Sequence, residues 1–236
     1  MIVGTFGGGT NSTAMYIGMV EKSEPVDLIL FADTGGEKPH TYAHVAMFSE
    51  WLQGKGYPPI TTVSREVETL ESDCLKRNAL PGVAYGFKSC SDHFKMRPQR
   101  DYLKAHGIVA TQTLVGFDAG ETHRARDIPG NRYPLIEWDW GREECVEAIK
   151  RAGVAQPGKS SCFFCPNMKK PEIFLLRRQY PLLAERAVAM EKNAELTEVK
   201  GLGRSFAWGD LYAADDAQAK LFPESTVPLC DVCYDG

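Results

Sequence analysis

Short apolar runs alternate along this chain with longer segments whose apolar residues recur every three or four positions. Met1-Ile2-Val3 predicts a first strand, and Ala14 to Val20 a helix, with a glycine- and hydroxyl-rich stretch from Gly4 to Thr13 between them. Val26 to Ala32 is an almost unbroken apolar run, the signature of a strand covered on both faces of a parallel sheet. Residues 37–53 predict a helix with Tyr42, Val45, Met47, Phe48 and Trp51 as its apolar positions, and Ile60–Val63 a third strand. Thr111–Phe117 and Arg132–Ile136 predict two more. Further helices are expected over residues 66–77, from Asp92 to Ala105, from Asp139 or Trp140 to Ala152, and from Glu172 to about Asn193 with a kink at Pro181. From Ala213 onward the tail reads as irregular. This alternation predicts an α/β fold, a doubly wound, mostly parallel five-stranded sheet over residues 1–155. Residues 156–236 are expected to form a C-terminal helical, cysteine-containing extension packed on the same domain.

The length of 236 residues suffices for a full α/β core, and 43% hydrophobic with 25% charged residues is ordinary for a globular protein. A formal net charge of -4 argues against a wholly basic nucleic-acid binder and leaves room for a local basic patch. No apolar run approaches the ~20 residues that span a membrane. The first residues pass straight into a strand with no basic leader, so a cytoplasmic location is expected. Seven cysteines in such a chain point to thiol, metal or redox chemistry before structural disulfides.

The chemistry concentrates at the glycine stretch. Gly7, Gly8 and Gly9 at a strand-to-helix turn let the backbone adopt positive φ and approach a ligand closely. The following helix offers free N–H groups to an anion, and Thr10, Asn11, Ser12 and Thr13 add hydroxyl and amide donors. No Gly-Lys-Ser/Thr ends the stretch, so it is not a Walker loop. It resembles the PP-loop, Ser-Gly-Gly-x-Asp-Ser, of the ATP pyrophosphatases that include the phosphoadenylyl-sulfate reductase family: Gly8, Gly9 and Ser12 match, Gly7 replaces Ser and Asn11 replaces Asp. Asp33-Thr34-Gly35, followed by Pro39 and Thr41, is similar to that family's Asp-Thr-Gly-x-x-x-Pro-Glu-Thr segment near the bound nucleotide, with His40 in the Glu position. Gly116, Glu121 and Arg124 or Arg126 resemble its Gly-x-Arg-x-x-Glu-Ser-x-x-Arg motif, with Asp118 in place of an Arg. Lys88, Lys95, Arg97 and Arg100 form a cationic cluster suited to phosphate or sulfate. The resemblance runs over residues 1–190 and implies an adenine nucleotide alpha hydrolase-like fold that binds ATP with Mg²⁺, or a related adenine nucleotide.

Cys162-x2-Cys165 and Cys230-x2-Cys233 each bring two thiolates to one turn, and together they suit a tetrahedral zinc site, although a long segment separates them. The resemblance implies another geometry. Assimilatory reductases with a 4Fe-4S cluster place a Cys-Cys pair before a basic helix and a Cys-x2-Cys downstream; here the first element is Ser89-Cys90. Cys90, Cys162 and Cys165 would hold a cluster with one open iron, similar to cluster-dependent thiolation enzymes, unless Cys230 or Cys233 is the fourth ligand. Cys74 and Cys145 fall in helical patterns and read as buried thiols.

Two chemistries follow from the resemblance. In one, a substrate is adenylated, pyrophosphate leaves, and a sulfur or nitrogen nucleophile displaces AMP. The turn and the hydroxyls of Ser12 and Thr13 would hold pyrophosphate, and Arg124 or Arg126 would offset charge. In the other, a tail cysteine such as Cys233 attacks a sulfonucleotide and sulfite is released. A nucleotide-binding module stabilised by zinc is the non-catalytic alternative. The acceptor, whether nucleic acid, protein or small molecule, is not encoded in a motif, and a homodimer stays among the open assembly states.

Overall fold

The computed structural model describes the backbone of residues 1–65, 67–84 and 87–221, and their side chains except at 83, 84, 87, 88 and 219–221. In chain order the elements are β1 (Ile2–Phe6), α1 (Thr10–Glu21), β2 (Leu28–Ala32), α2 (Pro39–Gly54), β3 (Ile60–Val63), α3 (Leu70–Lys76), β4 (Val83–Ala84) and β5 (Phe87–Lys88). A single turn, α4 (Ser89–Ser91), and a π-helical turn (Asp92–Met96) lead into α5 (Arg97–Ala105). Then come β6 (Gln112–Leu114), a 3-10 turn (Ala119–Arg124), β7 (Asn131–Arg132), α6 (Pro134–Glu137), α7 (Arg142–Arg151), α8 (Lys170–Gln179), α9 (Pro181–Asn193) and α10 (Trp208–Leu221). Two compact units result: residues 1–66 with 92–160, and residues 67–91 with 161–236.

The first unit is built on a five-stranded sheet in the order β3-β2-β1-β6-β7, every pair parallel, as the alternating pattern predicts. Side chains of a strand point alternately to opposite faces, and both faces are covered. On one, Phe6, Ile29 and Phe31 pack with Met15, Met19, Phe48, Leu52 and Ile149 of α1, α2 and α7. On the other, Val3, Leu30, Ala32 and Val63 pack with Tyr102 and Leu103 of α5. Helix α1 crosses the first face almost wholly buried from Thr13 to Met19, which explains why its sequence lacks a polar stripe.

Several boundaries differ from the sequence reading for identifiable reasons. β1 runs on through Gly4-Thr5-Phe6, because Gly4 leaves room for the Tyr16 ring, whose hydroxyl donates to the Thr5 carbonyl at 3.2 Å. The strand expected over 132–136 stops at Arg132, since Pro134 has no N–H for the ladder and instead starts α6 at a first-turn position. Pro181 ends α8 and begins α9, so one kinked helix becomes two, with Tyr180 between them at φ −138° and ψ 65°.

The second unit gathers α3, which falls within the helix expected over residues 66–77, the β4–β5 hairpin and α8–α10. The tail expected to be irregular from Ala213 is helical to Leu221. Glu191 explains why. Its buried carboxylate accepts N–H groups of Leu202 (2.7 Å), Trp208 (2.9 Å) and Gly209 (3.1 Å), closing the Gly201–Gly209 loop and capping α10.

Candidate nucleotide site

Chain order moves outward from β1 to β2 and β3 on one side, then returns to β6 on the other. The crevice between β1 and β6 is therefore the sheet's topological switch point, where open α/β sheets take ligands at the carboxyl ends of their strands. β1 ends there at Phe6, and Gly7–Gly9 turn the chain into α1. Gly8 sits at φ +70°, a conformation that costs other residues about 1–2 kcal/mol. A Cβ on Gly8 would also meet Thr41 Cγ2 at 2.9 Å. Gly9 is the N-cap of α1, and no side chain caps this helix. The first intrahelical bond runs from Thr13 N–H to the Gly9 carbonyl at 3.0 Å, so the N–H groups of Thr10, Asn11 and Ser12 are not used within α1. Beyond β6, Gly116 lies directly on this turn: a Cβ there would meet Ser12 Cα at 3.2 Å and Ser12 N at 3.3 Å.

The hydroxyls assigned to phosphate by pattern are turned inward. Ser12 Oγ and Thr13 Oγ1 each donate to the Gly9 carbonyl at 3.0 Å. Thr10 Oγ1 accepts from Gln156 at 2.8 Å. Backbone N–H groups are thus the donors this turn presents to an anion. Asn11 faces the β6 side, where its amide donates to Asp118 (2.9 Å) and Glu121 (3.0 Å). An aspartate here would confront two carboxylates, which gives the Asn11 departure a physical reason.

Arg124 pairs with Glu121 and stacks over Phe117 at 4.3 Å, so its charge is already engaged. Arg126 is exposed and makes no ion pair among the described residues. On the β2 side, Asp33 accepts the Gly35 N–H (2.7 Å) and the Tyr42 hydroxyl (2.8 Å). Burial, then this bond to Asp33, pushes the Tyr42 phenol well up from its ordinary range. Thr34 is buried and accepts the Gly36 N–H at 3.2 Å, with Gly35 at φ +71°. The expected cationic cluster is largely spent internally: Arg97 and Arg100 bind Asp92 at 3.1 and 3.3 Å, and Lys95 reaches Glu37 at 3.4 Å. Lys88 lies among the side chains not described.

Sequence reasoning missed three partners of the turn, namely His44, Gln156 and Ser160. His44 Nε2 lies 2.9 Å from Thr13 Oγ1, and Ser160 Oγ lies 2.8 Å from where a Gly9 Cβ would be. None falls in a motif, and only the folded chain brings them to residues 8–13.

Among the described residues, the cysteines belong to the second unit, apart from Cys145. Cys162 and Cys165 share one turn, with Cys165 N–H on the Cys162 carbonyl at 3.1 Å; Cys162 is buried, Cys165 and Cys90 half-buried. Cys230 and Cys233 lie outside the described residues. Among the described residues no three Cys, His, Asp or Glu side chains are gathered in a way that could hold a metal ion. The described residues therefore do not assemble a site for the expected cluster or zinc. Cys74 and Cys145 are buried thiols as expected, each pushed up to about 12, first by burial and then by Asp73 and Asp118 respectively.

No protein-family model matches the chain, and no curated protein matches it. Among solved structures it is similar to the U34-tRNA thiolase NcsA from Methanococcus maripaludis with its 4Fe-4S cluster, at 12% identity and a TM-score of 0.42, covering 84% of this chain and 73% of that one. The cluster and the tRNA are that protein's. No helix among the described residues is long and apolar enough to cross a membrane. With all five strands parallel, both faces covered by helices, and a glycine turn leaving the central strand at the switch point, the first unit has the doubly wound α/β fold that the sequence pattern predicts.

Proposed function

We propose that the chain is an enzyme that binds ATP at residues 7–13 and activates an acceptor by adenylation. The observation that carries this reading is the uncapped start of α1, with Gly8 at positive φ and Gly116 packed against the same turn. Backbone N–H groups aligned with a helix dipole favour a polyanion without needing a cationic side chain. An acceptor oxygen attacks the α-phosphorus, the bond to the α–β bridging oxygen breaks, and pyrophosphate leaves with that electron pair. The residue 10–12 N–H groups stabilise the departing charge, and the exposed Arg126 offsets charge on the α-phosphoryl. Asp33 and Thr34 border the nucleotide from the β2 side. A sulfur nucleophile then displaces AMP from the activated acceptor, which is the sulfur-transfer part of the proposal.

The test uses ATP labelled at the α-phosphate, incubated with the protein and candidate acceptors such as tRNA, with and without sulfide. AMP and pyrophosphate in equal amounts support the reading. ADP and phosphate would refute α-phosphorus attack, and sulfite released from a sulfonucleotide would replace it with reductase chemistry. ATP binding without turnover would leave a nucleotide-binding module. Iron, zinc and acid-labile sulfide are measured on anaerobically purified protein beside a Cys162→Ala variant. Iron with sulfide, lost in the variant, would tie Cys162 to a cluster completed by residues outside those described.

A further inference from the structure

The most unusual group behind the nucleotide turn is an imidazole with no assigned task. His44, on α2, is 7% exposed, and packs against Phe6 of β1 (6.2 Å between ring centroids) and Phe48 of its own helix (5.8 Å), two rings that also meet each other at 5.4 Å. Its Nε2 lies 2.9 Å from Thr13 Oγ1, and that hydroxyl donates to the Gly9 carbonyl at 3.0 Å. Thr13 is itself fully buried. A chain of two hydrogen bonds thus joins α2 to the carbonyl immediately before the uncapped N–H groups. The same carbonyl also accepts the Thr13 N–H and the Ser12 hydroxyl, each at 3.0 Å, so the relay from His44 is one of three donors that converge on it in a low-dielectric interior.

We propose that His44 is a positioning residue for the nucleotide site. Through Thr13 it holds the Gly9 carbonyl on the helix side of the turn, so that the neighbouring N–H groups, and not a carbonyl oxygen, face the bound phosphates. This rests on the reading that residues 7–13 bind ATP. Rotation of that one peptide would place a partial negative charge against the phosphates. The stack on Phe6 and Phe48 fixes the ring plane, and with it the direction of Nε2. Burial, then His40, lowers the His44 pKa to about 4, so the ring stays neutral and brings no charge of its own to the site.

The test is an ATP-binding titration of the full chain with four proteins: wild type, His44→Phe, Thr13→Val and the double variant. His44→Phe keeps an aromatic ring in the stack and removes the hydrogen bond. Each single variant is expected to weaken ATP binding about five- to tenfold, the scale of one lost buried hydrogen bond. The double variant is expected to be no weaker than the worse single one, because both cut the same relay. His44→Gln, whose amide can replace Nε2, is expected to bind ATP within about twofold of wild type. Unchanged affinity in a folded His44→Phe protein, or independent effects in the double variant, would overturn the proposal. If His44→Phe does not fold, His44→Gln and Thr13→Val decide alone: equal losses in both would overturn it. Wild-type protein that fails to bind ATP would overturn the nucleotide reading itself, a different outcome from any of these.

Discussion

Replacement of Gly8 by alanine is the sharpest challenge to the nucleotide turn. The backbone there is at φ +70°, where a Cβ costs about 1–2 kcal/mol. The added methyl would also lie 2.9 Å from Thr41 Cγ2, well inside the ~3.5–4.0 Å optimum for two carbons. Thr41 is 1% exposed and cannot swing aside, and Val45 Cγ2 at 3.7 Å closes the same side. Overpacking of this kind adds about 1–3 kcal/mol, for a total near 3 kcal/mol. The turn has two ways to respond. If it keeps its shape, the unfolding midpoint falls by roughly 6–12 °C. If it flips the peptide to relieve the strain, the midpoint holds and the α1 N–H groups lose their aim, so ATP binding disappears. Differential scanning calorimetry paired with ATP titration reads both. Gly9→Ala is the control. Its backbone is extended at φ −111°, and the new methyl would meet only the Ser160 hydroxyl, the rotatable end of a side chain, at 2.8 Å. It is expected to cost about 1 kcal/mol or less. A Gly8→Ala protein with unchanged midpoint and unchanged ATP affinity would refute the reasoning.

Three further outcomes are expected. Glu191→Gln replaces a carboxylate oxygen that faces backbone N–H donors with an N–H₂ group that repels them, at a cost of about 2–3 kcal/mol; hydrogen exchange at Trp208 and Gly209 should accelerate, and protected amides there would contradict the cap. The depressed His44 pKa means that the unfolded chain takes up a proton where the folded one does not, so its contribution to stability is complete above the unfolded value of about 6.5 and is lost as pH falls toward 4. His44→Gln should flatten the fall in unfolding midpoint across that window, and parallel profiles would show that other groups carry it. Iodoacetamide at pH 8 should leave Cys74 and Cys145 unmodified in the native protein and label both in urea, since burial suppresses their thiolates; native labelling at either would contradict the packing.

The parallel architecture of the first unit and the position of its glycine turn were already legible in the order of residues along the chain. The apolar run near 28–32 can bury both faces only within a covered parallel sheet, and three glycines after the first strand leave no side chain to fill the turn. These are local properties, legible from spacing. Tertiary structure alone decided how that turn is held. His44, Gln156, Ser160 and Gly116 reach residues 8–13 from three separate segments, and no local pattern records which polar groups meet across a fold. The same holds for Arg124, which reads as a phosphate ligand until Glu121 engages it, and for Ser12 and Thr13, whose hydroxyls turn back to Gly9. In the second unit, the buried Glu191 carboxylate ties down the Gly201–Gly209 loop and caps α10, a contact between residues 11 to 18 positions apart. Periodicity tells which face of an element is apolar; which partner satisfies a polar atom depends on the packing of residues far apart in the chain.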